Sequence, residues 1–558
     1  MQKKLRDLLN RTLEQCFQDQ SLHKTVWPDY VVEIPKNPEH GHFATNLALV
    51  LVPSQKRKPR EIAQIIMDHL QGREDFLAKI EMAGPGFINF RLNNREWHKL
   101  LTSIVTQKDA YGSSQLGAKE KIMIEFVSAN PTGPLHLGQG RGAALGDTLC
   151  RILAFTGYDV FREYYINDAG QQVRLLGESI YARYKQMTDP AQAFPENGYQ
   201  GEYILELAKA ISTQTDLSAL APEQAMQYCS EQGMERMLQE IKQDLAEFRV
   251  HYDNWFIESS LVRNGLLEET LQMIRSKGGL YEKDGALWIH TSAFGDDKDR
   301  VLRKSDGQYT YFATDIAYHM DKWRRGFTRV VNIWGADHHG YVDRMQAAMQ
   351  TSGPGANWLV VLLLQLVKLW KGGQELKMSK RAGQYVTLKE LIDEVGVDAA
   401  RFVFLTKHHD SSLDFDIDLV KRQDADNPVY YVQYAHARIC SIFRKAEEEG
   451  LDAARQAEPA LARLELEDEK ALIRFLADFP VLLESIALHF EPHRLTYYLT
   501  ELAALFHRYF NLGNKEPQAR IITADKELSL ARLSLAEAVR VVLRNGLTLL
   551  GSNAPERM

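Results

Sequence analysis

Lys121-Ile-Met-Ile-Glu-Phe-Val127 runs directly into Ser128-Ala-Asn-Pro-Thr-Gly-Pro134 and then into Leu135-His-Leu-Gly-Gln-Gly-Arg-Gly142. The first seven residues are a mostly apolar run suited to a strand buried on both faces. The Pro/Gly-rich segment is a turn, and helical spacing of apolar residues then extends from about Leu137 to Phe155. Gly157 stops that helix, and Tyr158–Tyr165 reads as the next strand. Strand, helix and strand within about 45 residues form a βαβ unit. This stretch predicts an α/β fold, a doubly wound parallel-sheet (Rossmann-like) domain.

Working outward, helix-rich sequence follows from about 170 to 275, and strand signals return at Arg329–Trp334 and from Trp358 to Leu369. From Asp398 to Met558 almost every stretch reads as amphipathic helix, which predicts an all-α bundle. On the other side, residues 1–118 read as a small α+β domain. An amphipathic helix carries Leu5, Leu8, Leu9, Leu13 and Phe17. A strand is expected at Tyr30–Pro35, a helix at Phe43–Leu51, and a turn feeding a strand at Gly84–Leu92. Tyr111–Ala118 is polar and glycine-containing and reads as a linker. The expected organisation is therefore 1–118, 119–397 and 398–558.

The 558 residues suit about three or four domains. At 45% hydrophobic and 25% charged the chain has the composition of a soluble globular protein, which excludes wholesale disorder. The four cysteines, at 16, 150, 229 and 440, have no zinc or redox spacing and fit a reducing compartment. The longest apolar run, Trp358–Leu364, is far short of a membrane span. The opening residues mix charge with helical periodicity and lack the pattern of a signal peptide. A cytoplasmic protein with no membrane partner is the expectation. Net charge is −7, with +3 over residues 1–118 and −5 over 398–558, so charge alone does not advertise nucleic acid.

Two segments carry chemistry. In the first, Gly138, Gly140 and Gly142 permit close approach to the backbone. They open a helix whose N-terminus favours phosphate, with His136 placed to donate to it. The order is neither a P-loop nor a G-x-G-x-x-G fingerprint. By itself it reads more readily as a capping His beside packing glycines than as a phosphate site. The second segment is Lys371-Gly-Gly-Gln-Glu-Leu-Lys-Met-Ser-Lys-Arg-Ala-Gly383, ahead of a helix at Leu388–Val395. Lys377 and Lys380, three apart on a glycine-flanked loop, can clamp phosphates as charge builds on pyrophosphate. A solvated basic loop is the competing reading.

Together, His136-Leu-Gly-Gln139 and Lys377-Met-Ser-Lys380 resemble the two hallmark motifs of the class I aminoacyl-tRNA synthetases, His-Ile-Gly-His and Lys-Met-Ser-Lys-Ser. Gln139 stands where the second His is usual, and Arg381 where the final Ser is. The resemblance implies catalytic roles for His136, Gln139, Lys377 and Lys380. It also implies ATP contacts from His136, Gly138, Gln139, Lys377, Met378 and Lys380, with Gly335 letting adenosine approach.

The substrate's charge should be legible in the pocket, because an unmatched buried ion is costly. Glu125 interrupts the first buried strand. Asp315 follows Tyr311 by one helical turn, and Asp337 ends Trp334-Gly-Ala-Asp337. Three carboxylates on one rim favour a cation, and a guanidinium suits bidentate carboxylates. The resemblance narrows here to the arginyl-tRNA synthetase family, on Ser128–His136, Glu39–Ala48, Asn427–Arg438 and Leu549–Met558. It implies arginine contacts from Glu125, Asn130, Tyr311 and Asp315. For Asp337 both an arginine and a ribose role stay open. His338 and His339 lack further ligands at metal spacing, so no protein metal site is expected.

The same resemblance implies a corner-binding N-terminal domain and an anticodon-reading bundle. Tyr430, Tyr431, Tyr434 and Arg438 share one helical stretch. Such a stripe is commonly core, but single-stranded bases stack on aromatics and Arg. Tyr431 or Tyr434, with Arg438, are the tRNA candidates. The implied partners are ATP with Mg²⁺, L-arginine and tRNA(Arg), and the implied state a monomer. Arginine would be activated as arginyl-adenylate and passed to the tRNA 3′ end. The rivals are a glutamyl or glutaminyl synthetase, which should show a cationic pocket, a retired tRNA-binding paralogue, and a ligase acting on a small molecule.

Overall fold

The computed structural model describes residues 1–35, 37–70, 75–376, 386–451 and 461–558. Its centre is a five-stranded sheet. The strands are β1 (Lys121–Glu125), β2 (Asp159–Ile166), β3 (Asn254–Ile257), β4 (Arg329–Gly335) and β5 (Leu359–Leu364). All pairings are parallel and the spatial order is β5-β4-β1-β2-β3. The chain winds one way from β1 through β3 and the other way from β4 to β5. That reversal opens a crevice at the carboxyl ends of β1 and β4, where ligands bind in sheets of this kind.

β1 is the middle strand, and Ile122, Met123 and Ile124 are fully buried on it, as its apolar run predicts. Helix α1 (Leu137–Phe155) has the expected bounds and is buried nearly all round. An all-round apolar helix belongs in a core. Here α1 packs against the sheet on one side and later elements on the other. Two of its glycines serve packing. A Cβ at Gly146 would sit 2.2 Å from Phe126, and one at Gly140 would sit 2.7 Å from Leu388.

The structure revises several sequence expectations. β3 lies inside the segment expected to be helix-rich. A three-stranded antiparallel sheet over 280–303 (Leu280–Lys283, Ala286–Ile289, Arg300–Arg303) was also not anticipated. Helix α2 (Tyr311–Arg324) follows it. The apolar stretch after Trp358 divides into β5 and β6 (Val367–Lys371). Helix α3 (Leu388–Val395) has the expected bounds and a Thr387–Glu390 capping box. Within the segment expected to be all helix, β7 (Leu413–Asp416) pairs in parallel with β6, so these residues join the strand that follows the central sheet rather than the bundle. The long bundle helices then follow, among them α4 (Pro428–Glu448), α5 (His493–Lys515) and α6 (Lys526–Leu549).

In the N-terminal region, Phe43–Thr45 is a strand rather than the start of a helix, because it pairs with Phe87–Leu92. The expected linker is fastened down at its start. Tyr111 is buried, its hydroxyl donates to the Leu476 carbonyl, and Asn545 donates to the carbonyls of Lys108 and Tyr111. Among the described residues no helix is long and apolar enough to cross a membrane.

Candidate active site

His136 caps α1. Its Nδ1 accepts from the backbone N–H of Gly138 (3.1 Å) and Gln139 (3.4 Å), while Gln139 Oε1 accepts from the His136 N–H (2.8 Å). Reciprocal capping of this kind satisfies the helix's orphan donors. An acceptor Nδ1 leaves the proton of the neutral ring on Nε2. The capping reading and the phosphate-donor reading of His136 are therefore compatible. Gln139 spends its carbonyl oxygen on the cap and keeps its N–H₂ as a donor. Gly138 lies against the ring of His136 itself, whereas the space at Gly140 is filled by Leu388 and Phe404, which corrects the expectation that all three glycines admit a ligand.

The turn before α1 is strained. Val127 and Ser128 both have positive φ, 70° and 40°. For a β-branched residue this is costly and persists only where the surroundings enforce it. Ser128 Oγ donates to Glu125 Oε1 (3.0 Å) and accepts from the Tyr165 N–H (3.1 Å), and the Tyr164 hydroxyl bonds both backbone groups of Ala129. Asn130 follows, with its Nδ2 donating to Gln172 Oε1 (2.6 Å).

The carboxylates differ in state. Glu125 is buried and paired with the fully buried Lys322, which also reaches Asn332 Oδ1 (3.1 Å). Its register neighbour Glu163 is likewise met, by Arg325 and the Tyr318 hydroxyl. Among the described residues Asp315 makes no ion pair. It accepts from the Tyr341 hydroxyl, and burial pushes its carboxyl up to about 6, with the charges of Glu258 and Glu125 adding to the rise. Glu258, immediately after β3, is also raised by burial and hydrogen-bonds the Tyr165 hydroxyl. Sequence reasoning missed it because the four-residue β3 went unseen, although Trp255-Phe-Ile257 was an available strand signal.

Tyr311, the first residue of α2, is 75% exposed at the mouth, near Gly170. Asp337 does not join the buried acids. Its side chain is 83% exposed and folds back over Gly335 at the end of β4. The expected rim of three carboxylates is thus one paired acid (Glu125), one unpaired (Asp315) and one exposed (Asp337), with Glu258 added.

Lys377, Met378 and Lys380 lie outside the described residues. The chain on either side is tied to the first motif or its helix. After them, the Leu388 N–H donates to the Leu135 carbonyl (2.7 Å) and Thr387 forms a β-bridge with His136. Before them, the strand Gln374–Leu376 pairs with β6.

In the bundle, Tyr434, Arg438, Arg444, Lys445, Phe510 and Arg520 help line a concavity of about 770 Å³. Arg438 lies between the rings of Tyr434 and Phe510, 4.5 and 4.6 Å from their centroids, and bonds the Tyr434 hydroxyl (3.0 Å). Tyr434 is 37% exposed, while Tyr431 packs on His507 and the core.

Comparisons with known proteins agree with this layout. Residues 3–92 match the family described as arginyl tRNA synthetase N terminal domain. Residues 100–439 match tRNA synthetases class I (R), catalytic domain, and 432–558 match DALR anticodon binding domain. The chain is 48% identical to the arginine--tRNA ligase of Geotalea uraniireducens and 46% identical to that of Syntrophotalea carbinolica, covering all of each in both directions. A solved structure of a putative arginyl-tRNA synthetase from Campylobacter jejuni is 36% identical, with TM-score 0.76 over 84% of this chain and 100% of that one. The Thermus thermophilus arginyl-tRNA synthetase shares the fold over all of both chains, with TM-score 0.79 at 24% identity. On the matched domains, the parallel sheet and the full-length identity, the chain belongs to the arginyl-tRNA synthetase family of class I aminoacyl-tRNA synthetases.

Proposed function

We propose that the crevice at the ends of β1 and β4 activates L-arginine with ATP and transfers it to the 3′ end of tRNA(Arg). The observation that carries the assignment of substrate is the unpaired acid cluster, Asp315 with Glu258, beside a Glu125 already neutralised by Lys322. A guanidinium supplies the missing positive charge and enough donors for several carboxylates. Asn130 and Tyr311 border the same cleft and are assigned to arginine. Asp337, exposed at the end of β4 beside Gly335, is better suited to ribose than to the guanidinium.

The arginine carboxylate attacks the α-phosphate, the bond to the bridging oxygen breaks, and pyrophosphate leaves. His136, with Nε2–H as donor at the start of α1, together with Gln139, Lys377 and Lys380, meets the developing negative charge. A hydroxyl of the terminal ribose, the 2′-OH by class I analogy, then takes the arginyl group from the adenylate and AMP leaves. No covalent enzyme intermediate is needed, so catalysis is positioning and electrostatics. Mg²⁺ would arrive on the ATP phosphates and shield their charge.

Tyr434 and Arg438 are assigned to anticodon stacking, on exposure and on the basic concavity they line. The cytoplasm is the assigned compartment, which fits four buried cysteines with no disulfide among the described residues, and a monomer is the assigned state. The deciding experiment is ATP–pyrophosphate exchange with arginine, lysine, glutamate and glutamine, each with and without bulk tRNA. Exchange with arginine alone is expected. Exchange with glutamate or glutamine would overturn the acidic-cleft argument, and silence with all four alongside intact tRNA binding would identify a retired paralogue.

A further inference from the structure

Arg141 is the fifth residue of α1, one turn past the His136–Gln139 cap, and it is 1% exposed. Burial lowers its pKa to about 10, so it stays cationic at neutral pH. Among the described residues it makes no ion pair. Instead its guanidinium donates to three main-chain carbonyls: Nη1 to Gln365 and Ser411, and Nη2 to His408, each at 2.9 Å. Burying a cation on neutral acceptors alone is costly, and the planar fork of Arg suits such multiple contacts where Lys does not.

The three carbonyls belong to two segments that are themselves joined. Gln365 lies between β5 and β6, while His408 and Ser411 precede β7. The Gln365 N–H donates to the His409 carbonyl (2.9 Å), the Leu413 N–H to the Leu366 carbonyl (3.1 Å), and β6 pairs with β7. β6 and the strand after it lead the chain into residue 377. On leaving the lysine motif the chain is held by Leu135 and His136, through Leu388 and Thr387. The helix of the first motif thus fastens the chain on both sides of the second.

We propose that Arg141 is a positioning residue for adenylate formation, fixing the β6–β7 unit on α1 and so holding the described chain before residue 377 in register with the His136 cap. The proposal rests on the reading of His136 and the lysine motif as the phosphate site. Misplacement by about 1 Å far from the reacting atoms can cost about 10²-fold in rate.

The test is arginine-dependent pyrophosphate exchange at saturating tRNA, with circular dichroism and thermal unfolding on every variant. Arg141→Met should lower kcat about 30-fold or more while the KM for ATP and for arginine each change less than about 3-fold. Arg141→Lys, which keeps the charge and some of the donors, should recover about 5-fold of that loss while its kcat stays at least about 3-fold below the parent. In a His136→Ala background, where the first motif no longer acts, Arg141→Met should cost less than about 3-fold, because residues acting as a unit are non-additive. A merely structural role predicts the same fold-loss in both backgrounds, and that result, or an Arg141→Met kcat within about 3-fold of the parent, overturns the proposal. If Arg141→Met fails to fold, Arg141→Lys decides. A folded Arg141→Lys with lowered kcat and parental KM supports the proposal, and one with parental kcat overturns it. A parent with no arginine-dependent exchange overturns the reading of the site, and the proposal with it.

Discussion

The ammonium of Lys322 closes on the buried carboxylate of Glu125, Nζ to Oε2 2.5 Å, with exposures of 0% and 7%. The pair joins α2 to the central strand, and its polar surroundings are completed by Asn332 and Ser128. A buried pair is weak evidence of net stabilisation, but removing one partner strands a charge. Lys322→Met should therefore destabilise the protein by about 3–5 kcal/mol. Adding Glu125→Gln to it should recover most of the loss. Urea unfolding of the two variants checks this, and equal stability of the single and double variants would contradict it.

Asp315 carries the complementary prediction. Its folded pKa of about 6 lies above the ordinary carboxylate value, chiefly through burial. The sign follows by linkage: its contribution to stability is present below the unfolded pKa and is lost as pH rises through about 6. Asp315 therefore carries a buried negative charge at neutral pH, which a guanidinium would neutralise. The rise in Tm produced by saturating arginine should be larger at pH 7.5 than at pH 5.5. The KM for arginine should climb as pH falls below about 6, by up to about tenfold per pH unit for each proton displaced. A KM flat from pH 5 to 7 would remove Asp315 from recognition.

The observed capping role of His136 and its proposed role as phosphate donor can be separated. Asn is a good helix cap but lacks the Nε2–H, whereas Ala loses both functions. His136→Asn and His136→Ala should each lower adenylation about 10²-fold. Only the Ala variant should also lose about 1 kcal/mol of stability. Parallel exchange assays and thermal melts test the two halves independently.

Lys380→Ala should cut the adenylation rate by about 10²-fold or more, the loss expected for one preorganised donor. Single-turnover adenylate formation is the measurement, and an unchanged rate would remove Lys380 from the mechanism.

At the far end of the molecule, Arg438 is held between the rings of Tyr434 and Phe510. Base stacking on an aromatic contributes about 1–3 kcal/mol, so Tyr434→Ala should raise the KM for tRNA about tenfold with kcat at saturating tRNA preserved. Tyr431→Ala, half-buried against His507 and the core, should act through stability instead. The opposite ranking in a tRNA titration would exchange the two assignments.

What the sequence determined by itself was local. The apolar run of β1, the turn, the bounds of α1 and α3, and the two candidate motifs are patterns within about 20 residues, legible from side-chain periodicity, capping and spacing. Chains of matching sequence carried the family just as directly. Long-range pairing decided the rest. Nothing local marks Lys322 as the partner of Glu125, 197 residues away, and that contact turns one of the expected arginine acids into a neutralised one. Glu258 entered the cleft only because a four-residue strand completes the sheet. β7 left the helical region because β6 offered it an edge. Periodicity reports which face of an element is buried. Which distant charge or strand edge meets that face depends on how the elements pack, and only the tertiary structure holds that information.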